Sequence, residues 1–548
     1  MKSIKTRYIF VTGGVISSLG KGITSASLGM LLKSKGYSVV NMKSEMYVNI
    51  DAGTIRPTEH GEVFVTNDGI ETDQDIGTYE RFLNKSLTRA QFITTGQIYQ
   101  EVIKRERNFE YEGEDVEVVP HVPEEIIRRV KEAGKQAKAE IVIIELGGTV
   151  GEYQGVLFLE AARMMEQALG RDHVIHVHVS YLPIPKSVGE MKTKPVQYSV
   201  RTLNSHGIVP HFIVGRSERE LDKKRKEKIK QFCGVEFDHV ISNPDCDSIY
   251  LVPEVLEKQK FAEIVLKDMG LKPRKTGIKK WESMVNDIMT TSDEVNIAIV
   301  GKYFKTGDYA LEDSYVSVIE AIKHGAWGNN VKANIHWVNS EKFEKDAKTL
   351  NTLLEMDGVI VPGGYGKRGL EGKIKAVRFV REHDIPYFGL CLGLQMAVIE
   401  FARHVCGLKT ANTVEAQPNT KYPVIEPMEE QKKLLEKKQY GGTNRLGAYE
   451  CAVKKNTISS KAYGKNMVSE RHRHRYEVSN DYRDILSKHG LVFAGVNPKL
   501  DLVEIIENPS HPWFVGTQFH PEFQSRPLAP HPLFKSFIKA CKERRKKI

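Results

Sequence analysis

The chain is poor in cysteine: its 548 residues hold only Cys233, Cys246, Cys391, Cys406, Cys451 and Cys541, widely spaced, with no C-x-x-C pair. This excludes a disulfide framework and a zinc-finger site and fits a reducing compartment. Long apolar runs are also missing. No stretch approaches the roughly 20 residues that span a bilayer, and the N-terminus enters a strand without a signal-peptide core. No membrane partner is expected, and the cytoplasm is the expected location. Nor is there a large excess of one charge. Eighty Lys and Arg against 70 Asp and Glu leave a formal +10 spread along the chain, which suits anionic substrates without the footprint of a nucleic-acid binder. The basic runs KKRKEKIK (223–230) and KERRKKI at the C-terminus are Glu-interrupted and helix-like, and read as solvated faces. RHRHR (471–475) is too short for nucleic acid, but strand alternation places Arg471, Arg473 and Arg475 on one face, where one can clamp a substrate carboxylate.

What is present is an alternation of apolar runs with amphipathic segments. YIFVTGG, SVVNMK, IVIIELGG, HVIHVHVSY and IVPHFIVGR lie in the first half; VNIAIVGKY, MDGVIVPGGYG, IPYFGLCLG and HPWFVGTQFHPEF lie in the second. Such alternation predicts α/β architecture in both halves, each with a largely parallel sheet and ligands at the carboxyl ends of its strands. No internal repeat relates the halves, and the polar, basic stretch 271–294 reads as the connection.

In the first half, FVTGGVISSLGKGITSASLG (10–29) is a strand, a small-residue turn and a helix start. Glycines admit backbone N–H groups to an anion, and Lys21 with the helix N-terminus adds positive field, so the turn predicts a nucleotide-phosphate site. The usual Ser or Thr after the lysine is Gly22, so a metal-binding hydroxyl must come from Ser17, Ser18 or Thr24. Glu145 ends a buried run, where a carboxylate suits Mg²⁺. Glu71, Asp73 and Asp75 offer a second ligand or an acidic surface loop. Lys43 can reach the same phosphates. His176 and His178 share a strand face and read as hydrogen-bonded imidazoles. Lys192 and Lys194, before a helix, fit a second polyphosphate site or surface charge equally well.

In the second half, PYFGLCLGLQ reads as a nucleophile elbow with sulfur in place of oxygen, exposing Cys391 at its tip. QFHPEF supplies His520 as base and Glu522 to orient it, and Gly363 and Gly364 offer an oxyanion hole beside the amide of Leu392. A thiolate base pair of this kind makes cysteine a nucleophile at neutral pH.

Together PGGYG, GLCLGLQ and QFHPEF resemble the class I glutamine amidotransferase domain, which hydrolyses glutamine through a cysteine thioester. GGVISSLGKGI, ETDQDIGTYERF, ELGGTVGE and KTKPVQYSV, ahead of it, extend the resemblance to the CTP synthase family over nearly the whole chain. The resemblance implies a P-loop-like, dethiobiotin-synthetase-like parallel-sheet domain at 1–270 for ATP and UTP. A linker follows at 271–294, and a class I amidotransferase α/β domain at 295–548. It implies that ATP phosphorylates the 4-oxygen of UTP, a poor leaving group otherwise, and that ammonia then displaces phosphate.

By position, the resemblance assigns Ser18, Leu19, Gly20, Lys21, Gly22 and Ile23 to the ATP loop, with Lys21 also catalytic. Lys43 is the phosphate contact, Asp75 and Glu145 are Mg²⁺ ligands, Asp75 also touching ATP, and Asp245 lies on the adenine side. Ser17, Lys192, Thr193, Lys194, Pro195, Val196, Gln197 and Lys228 fall at the UTP and CTP positions, with Glu152, Tyr153 and Gln154 replacing the common GDIES. The glutamine positions are Gly364, Leu392, Gly393, Leu394, Gln395, Glu415 and Arg475, the last on the α-carboxylate. GTP is implied as allosteric activator, and a homotetramer that can form filaments as the assembly. Departures from the family pattern are SEMYVNIDAGT in place of LDPY-x-N-x-DPGT, a long KYFKTGDYALEDSYVSV turn, and Lys367 in GYGKRG. Two rival readings are another ATP-dependent, glutamine-fed amidotransferase acting on a carboxylate, and a non-enzymatic assembly protein.

Overall fold

A computed structural model describes residues 6–547 except 276, 303, 304, 307, 308, 311, 365, 429, 430 and 432–440. Tyr365 of PGGYG and part of the KYFKTGDYALEDSYVSV turn thus lie outside the described residues. The chain forms two compact units, Met1–Asp51 with Thr78–Val285, and Ala52–Gly77 with Asn286–Ile548.

Among the described residues, the first unit holds a seven-stranded sheet in the order Phe92–Thr94, Val39–Glu45, Ile141–Leu146, Arg7–Gly13, Val174–Tyr181, Phe212–Ser217, Val240–Pro244. Every pairing is parallel. Helices cover both faces, so the interior strand IVIIEL is buried along its whole length, as a continuous apolar run requires. The polar residues Thr12, Lys43 and Glu145 come at the carboxyl ends of their strands, where the small-residue turn also lies. Within the stretch 271–294 a helix, Lys279–Thr290, buries Trp281 and Val285. The Trp281 indole donates to the Tyr250 carbonyl at 2.8 Å.

The second unit's main sheet runs Lys332–Asn339, Glu294–Gly301, Gly358–Val361, Tyr387–Leu390, Phe514–Thr517, Val503–Glu507, Val492–Val496, Arg445–Val453, Met467–His474. It is parallel up to Phe514–Thr517 and antiparallel beyond. Side-chain alternation splits the core between its faces. Ala298 and Val300 pack with the helices Leu370–Glu382 and Leu392–His404. Val295, Ile297 and Ile299 pack with Val316–Trp327 and Pro532–Arg545.

Residues Ala52–Gly77 belong to this second unit. Their short hairpin, Phe64–Val65 against Glu71–Thr72, is held by a cation. Arg471, fully buried, donates to Asn67 Oδ1 at 2.6 Å, to the Val65 carbonyl at 3.1 Å and to the Phe523 carbonyl at 3.3 Å. Its guanidinium also lies 5.3 Å from the centre of the Phe64 ring. Glu71, a candidate metal ligand in the sequence, instead accepts from Arg473 at 2.7 Å. A buried guanidinium with its carbonyl partners cannot be removed without stranding the acceptors. Arg471→Met should therefore cost about 3 kcal/mol, measured by urea unfolding; a loss below about 0.5 kcal/mol would contradict this accounting.

Candidate active site

The elbow at Cys391 is made by local crowding. The strand Tyr387–Leu390 ends, Cys391 adopts φ 51°, ψ −99°, and the helix Leu392–His404 begins at once. This left-handed conformation is strained for a side-chain-bearing residue, by about 1–3 kcal/mol. It is held by the Cys391 N–H donating to the Thr517 carbonyl at 2.6 Å. The helix also presses on the neighbouring strand so closely that a Cβ at Gly393 would lie 2.1 Å from the Val361 carbonyl oxygen. Only glycine fits there.

Cys391 is not exposed at a tip, as the motif predicts, but 5% exposed. Its cover comes from distant segments. Gln518 Nε2 donates to Cys391 Sγ at 3.6 Å. A Cβ placed on Gly363 would lie 3.7 Å from Cys391 Cβ and 2.8 Å from His520 Cε1, so thiol and imidazole flank one glycine. His520 Nδ1 is 2.7 Å from Glu522 Oε1, because the chain turns into the short helix Pro521–Gln524 directly after the histidine. His520 also stacks on Phe523 with ring centres 5.0 Å apart. Burial alone would push this imidazole down, but the Glu522 carboxylate and the Cys391 side chain outweigh it, and its pKa is raised above the usual range. Because the folded value exceeds that of a free imidazole, the charged ring's contribution is full below the free-imidazole range. It is lost only as pH rises through the raised value.

Cys391, His520 and Glu522 line a cavity of about 510 Å³ with Gly363, Gly364, Glu415, Arg473, Arg475 and residues of the segment 53–63. Glu415 Oε1 accepts from the Gly366 N–H at 3.0 Å. Arg475 reaches Asn444 Oδ1 at 2.6 Å and Thr443 Oγ1 at 3.0 Å. Leu392, Gly393 and Leu394 form the first turn of the helix, whose opening N–H groups have no helical acceptor. Gln395, assigned to glutamine by position, spends its amide on the Tyr476 carbonyl at 2.8 Å and Gln518 Oε1 at 3.3 Å, behind the thiol. Gln518 and the Arg473–Glu71 pair carry no local sequence signal.

In the first unit, the turn before the helix Lys21–Ser34 has Val15, Ser18 and Gly20 at φ 82°, 55° and 90°. The Ile16 N–H turns back onto the Gly14 carbonyl at 3.1 Å, and no side chain caps the helix start. Ser17 and Ser18 are exposed, whereas Leu19 and Gly22 are buried and Ile23 half-buried. Lys21 folds back, its Nζ donating to the Gly148 carbonyl at 2.8 Å. Arg216 braces the turn: a Cβ on Gly20 would lie 3.5 Å from its Nε, and it pairs with Asp245 at 2.7 Å. Sequence reading missed Arg216, which lies on a strand far along the chain.

Lys43 and Glu145 meet each other at 2.9 Å, and the Tyr79 hydroxyl also donates to Glu145. Asp75 is half-buried in the first turn of the helix Gln74–Leu83, its N–H bonded to Asp73 Oδ1 at 3.1 Å. His178 bridges Thr12 and Ser199 at 2.9 Å each, and burial followed by the Lys21 charge depresses its pKa to about 3, so it is a neutral structural imidazole. Thr193 precedes the helix Lys194–Ser205 and accepts from Gln197 at 3.1 Å. Pro195 lies in that helix's first turn and Val196 is buried. Lys192 pairs with Glu190 at 2.8 Å, Lys194 lies over Phe232, and Lys228 is exposed. Glu152 closes its own turn, accepting from the Thr149 N–H at 2.7 Å and from Gln154 at 3.2 Å, and Tyr153 is 94% exposed.

Fold and site together define a class I glutamine amidotransferase unit joined to a parallel α/β unit with a phosphate-type turn. Residues 7–271 match the family model described as CTP synthase N-terminus, and 310–540 the one described as glutamine amidotransferase class-I. The chain is 49% identical to the CTP synthase of Clostridium acetobutylicum over 98% of its own length and 99% of the relative's. It is 51% identical to that of Caldanaerobacter subterraneus subsp. tengcongensis over 97% and 98%. The solved glutaminase domain of Trypanosoma brucei CTPS with bound acivicin is 38% identical, covering 45% of this chain and 94% of that one, with a TM-score of 0.42. The chain belongs to the CTP synthase family. Among the described residues no helix is long and apolar enough to cross a membrane.

If the thiol side chain helps hold the proton on His520, its removal must lower that pKa. In Cys391→Ala the His520 ring should titrate at lower pH than in wild type, followed by NMR of the imidazole protons; an unchanged titration would contradict the pairing.

Proposed function

We propose that this chain carries out the family's reaction, the glutamine-dependent amination of UTP to CTP at the expense of ATP, through the residues assembled above. The observation that carries the proposal is the Cys391–His520–Glu522 constellation opening on a cavity that also presents Gly364, Glu415 and Arg475. In this reading Cys391 Sγ attacks the side-chain amide carbon of glutamine, and the π pair moves to an oxygen received by the Gly364 and Leu392 N–H groups. His520 passes its proton to the leaving nitrogen, Glu522 keeps the ring charged and oriented, and water then releases glutamate from the thioester. Arg475 takes the α-carboxylate.

In the other unit, the loop Ser18–Ile23, Lys21 and Lys43 take ATP phosphates, with Asp245 and Arg216 on the adenine side. Ser17, Glu152–Gln154, Lys192–Gln197 and Lys228 take the pyrimidine nucleotide. The phosphoryl group passes to the 4-oxygen of UTP, ammonia adds at that carbon, and phosphate leaves. The buried carboxylate of Glu145 suits a hard divalent cation; when bound, Mg²⁺ would neutralise charge on the transferring phosphates. GTP activation, a homotetramer, filaments and a cytoplasmic location complete the proposal. The resemblance supports the first three, and six free cysteines support the last.

Separable half-reactions give the test. Cys391→Ala should lose glutamine-dependent CTP formation by at least about 1,000-fold while ammonia-dependent formation persists; loss of both in a folded variant would refute separable sites. Lys21→Ala should lose both activities by about 100-fold or more, measured with ATP, Mg²⁺, UTP and either nitrogen source. Ammonia-dependent synthesis surviving in that variant would refute the assignment.

A further inference from the structure

The amidotransferase unit contains a buried cation that the chemistry above does not use. Lys373, on the helix Leu370–Glu382, has 0% exposure, and its Nζ has no hydrogen-bond partner among the described residues. A structural buried lysine looks different in this same protein. Lys35, 1% exposed, is held between Glu257 at 2.5 Å and Glu263 at 2.9 Å. Among the described residues Lys373 has no such carboxylate. Its ammonium instead points at the oxyanion loop: a Cβ on Gly364 would lie 3.9 Å from Lys373 Nζ and 3.8 Å from Lys302 Cε. Lys302 in turn donates to the Gly366 carbonyl at 2.9 Å. The Lys373 ammonium and the Lys302 stem thus lie against one glycine, next to Gly363, which has Cys391 and His520 as its neighbours.

A buried, unpaired ammonium is costly, and a methionine of similar volume would fill the space without that cost. Burial, then the Lys302 charge, depress its pKa to about 7, and the charge-bearing group that acts the other way is Cys391. The arrangement therefore becomes favourable when negative charge appears at the thiol or above Gly364, which is the form electrostatic preorganisation takes.

We propose that Lys373 is a positioning residue of the glutaminase centre, its buried ammonium serving as the counter-charge for the anion that develops first at Cys391 Sγ and then on the oxygen of the tetrahedral adduct. The inference rests on the glutaminase reading of Cys391. In the step concerned, the S–C bond forms as the carbonyl π pair moves to oxygen. Collapse restores the carbonyl and breaks the C–N bond, and the proton that leaves with nitrogen comes from His520. Lys373 neither gives nor takes a proton; it supplies field.

Full-length Lys373→Met and Lys373→Arg decide the matter against wild type in three measurements: glutamine hydrolysis, the pH dependence of Cys391 alkylation by iodoacetamide, and the thermal midpoint. Wild type without glutaminase activity would overturn the underlying reading rather than this one. The proposal expects Lys373→Met to lose about tenfold in kcat with KM little changed, to shift the alkylation midpoint to higher pH, and to melt no lower than wild type. It expects Lys373→Arg to keep the wild-type alkylation midpoint. A Met variant with wild-type kcat and alkylation curve overturns it, as does a Met variant that melts lower, loses turnover and keeps its alkylation midpoint, which is a packing role. Should Lys373→Met fail to fold, Lys373→Gln, uncharged and of similar length, is read against the same outcomes.

Discussion

The geometry around Cys391 in the second unit depends on one close approach, that of the helix Leu392–His404 to the strand Gly358–Val361. At Gly393 the separation leaves no room for even a methyl group, and this contact fixes where the helix may begin. Cys391, the residue between strand and helix, must then turn through a conformation that side-chain-bearing residues avoid. The strain is maintained because packing on both sides over-determines it. From that turn follow the direction of the thiol, the orphan N–H groups of the first helical turn, and the adjacency of Gly363 to both Cys391 and His520.

Buried charge is handled in two ways, and the contrast separates architecture from chemistry. Where charge supports the fold, it is paired: Glu504 accepts from Arg445 at 2.7 Å and faces His472 at 2.6 Å, and Arg471 is met by three oxygen acceptors. Around the thiol several cations are gathered. His520 has Glu522, but Lys373 has no partner among the described residues and Lys302, its pKa lowered to about 8 chiefly by burial, faces the same loop. In the proposed reaction negative charge develops there, and such a site is expected to hold positive charge in advance.

Much of this was legible in the sequence wherever signal and structure are contiguous. The alternation of apolar runs gave two α/β halves because parallel strands buried on both faces must be apolar throughout, as in IVIIEL. PYFGLCLGLQ revealed the elbow because strand, turn and helix occupy adjacent residues. What escaped depends on contacts between residues far apart in the chain. Cys391 reads as exposed from its motif, yet Gln518 and the Gly363 loop cover it. Gln395 lies one helical turn after the thiol, and only the tertiary structure reveals that its amide is turned towards Gln518 and the Tyr476 carbonyl. Glu71 belongs to an acidic cluster in sequence, but its nearest cation, Arg473, is contributed by a strand some 400 residues later. Lys373 has no motif at all; its interest lies in the absence of a partner, which no linear pattern encodes.

Whether the Gly393 contact sets the geometry of the Cys391 thiol is read out by covalent labelling. The rate at which an electrophilic glutamine analogue modifies Cys391 should be measured by mass spectrometry in wild type and in Gly393→Ala, with matched far-ultraviolet circular dichroism. Labelling should slow by about 100-fold in the variant, the scale expected when a reacting group is displaced by an ångström. Labelling at the wild-type rate in a folded Gly393→Ala protein would contradict this role for the contact.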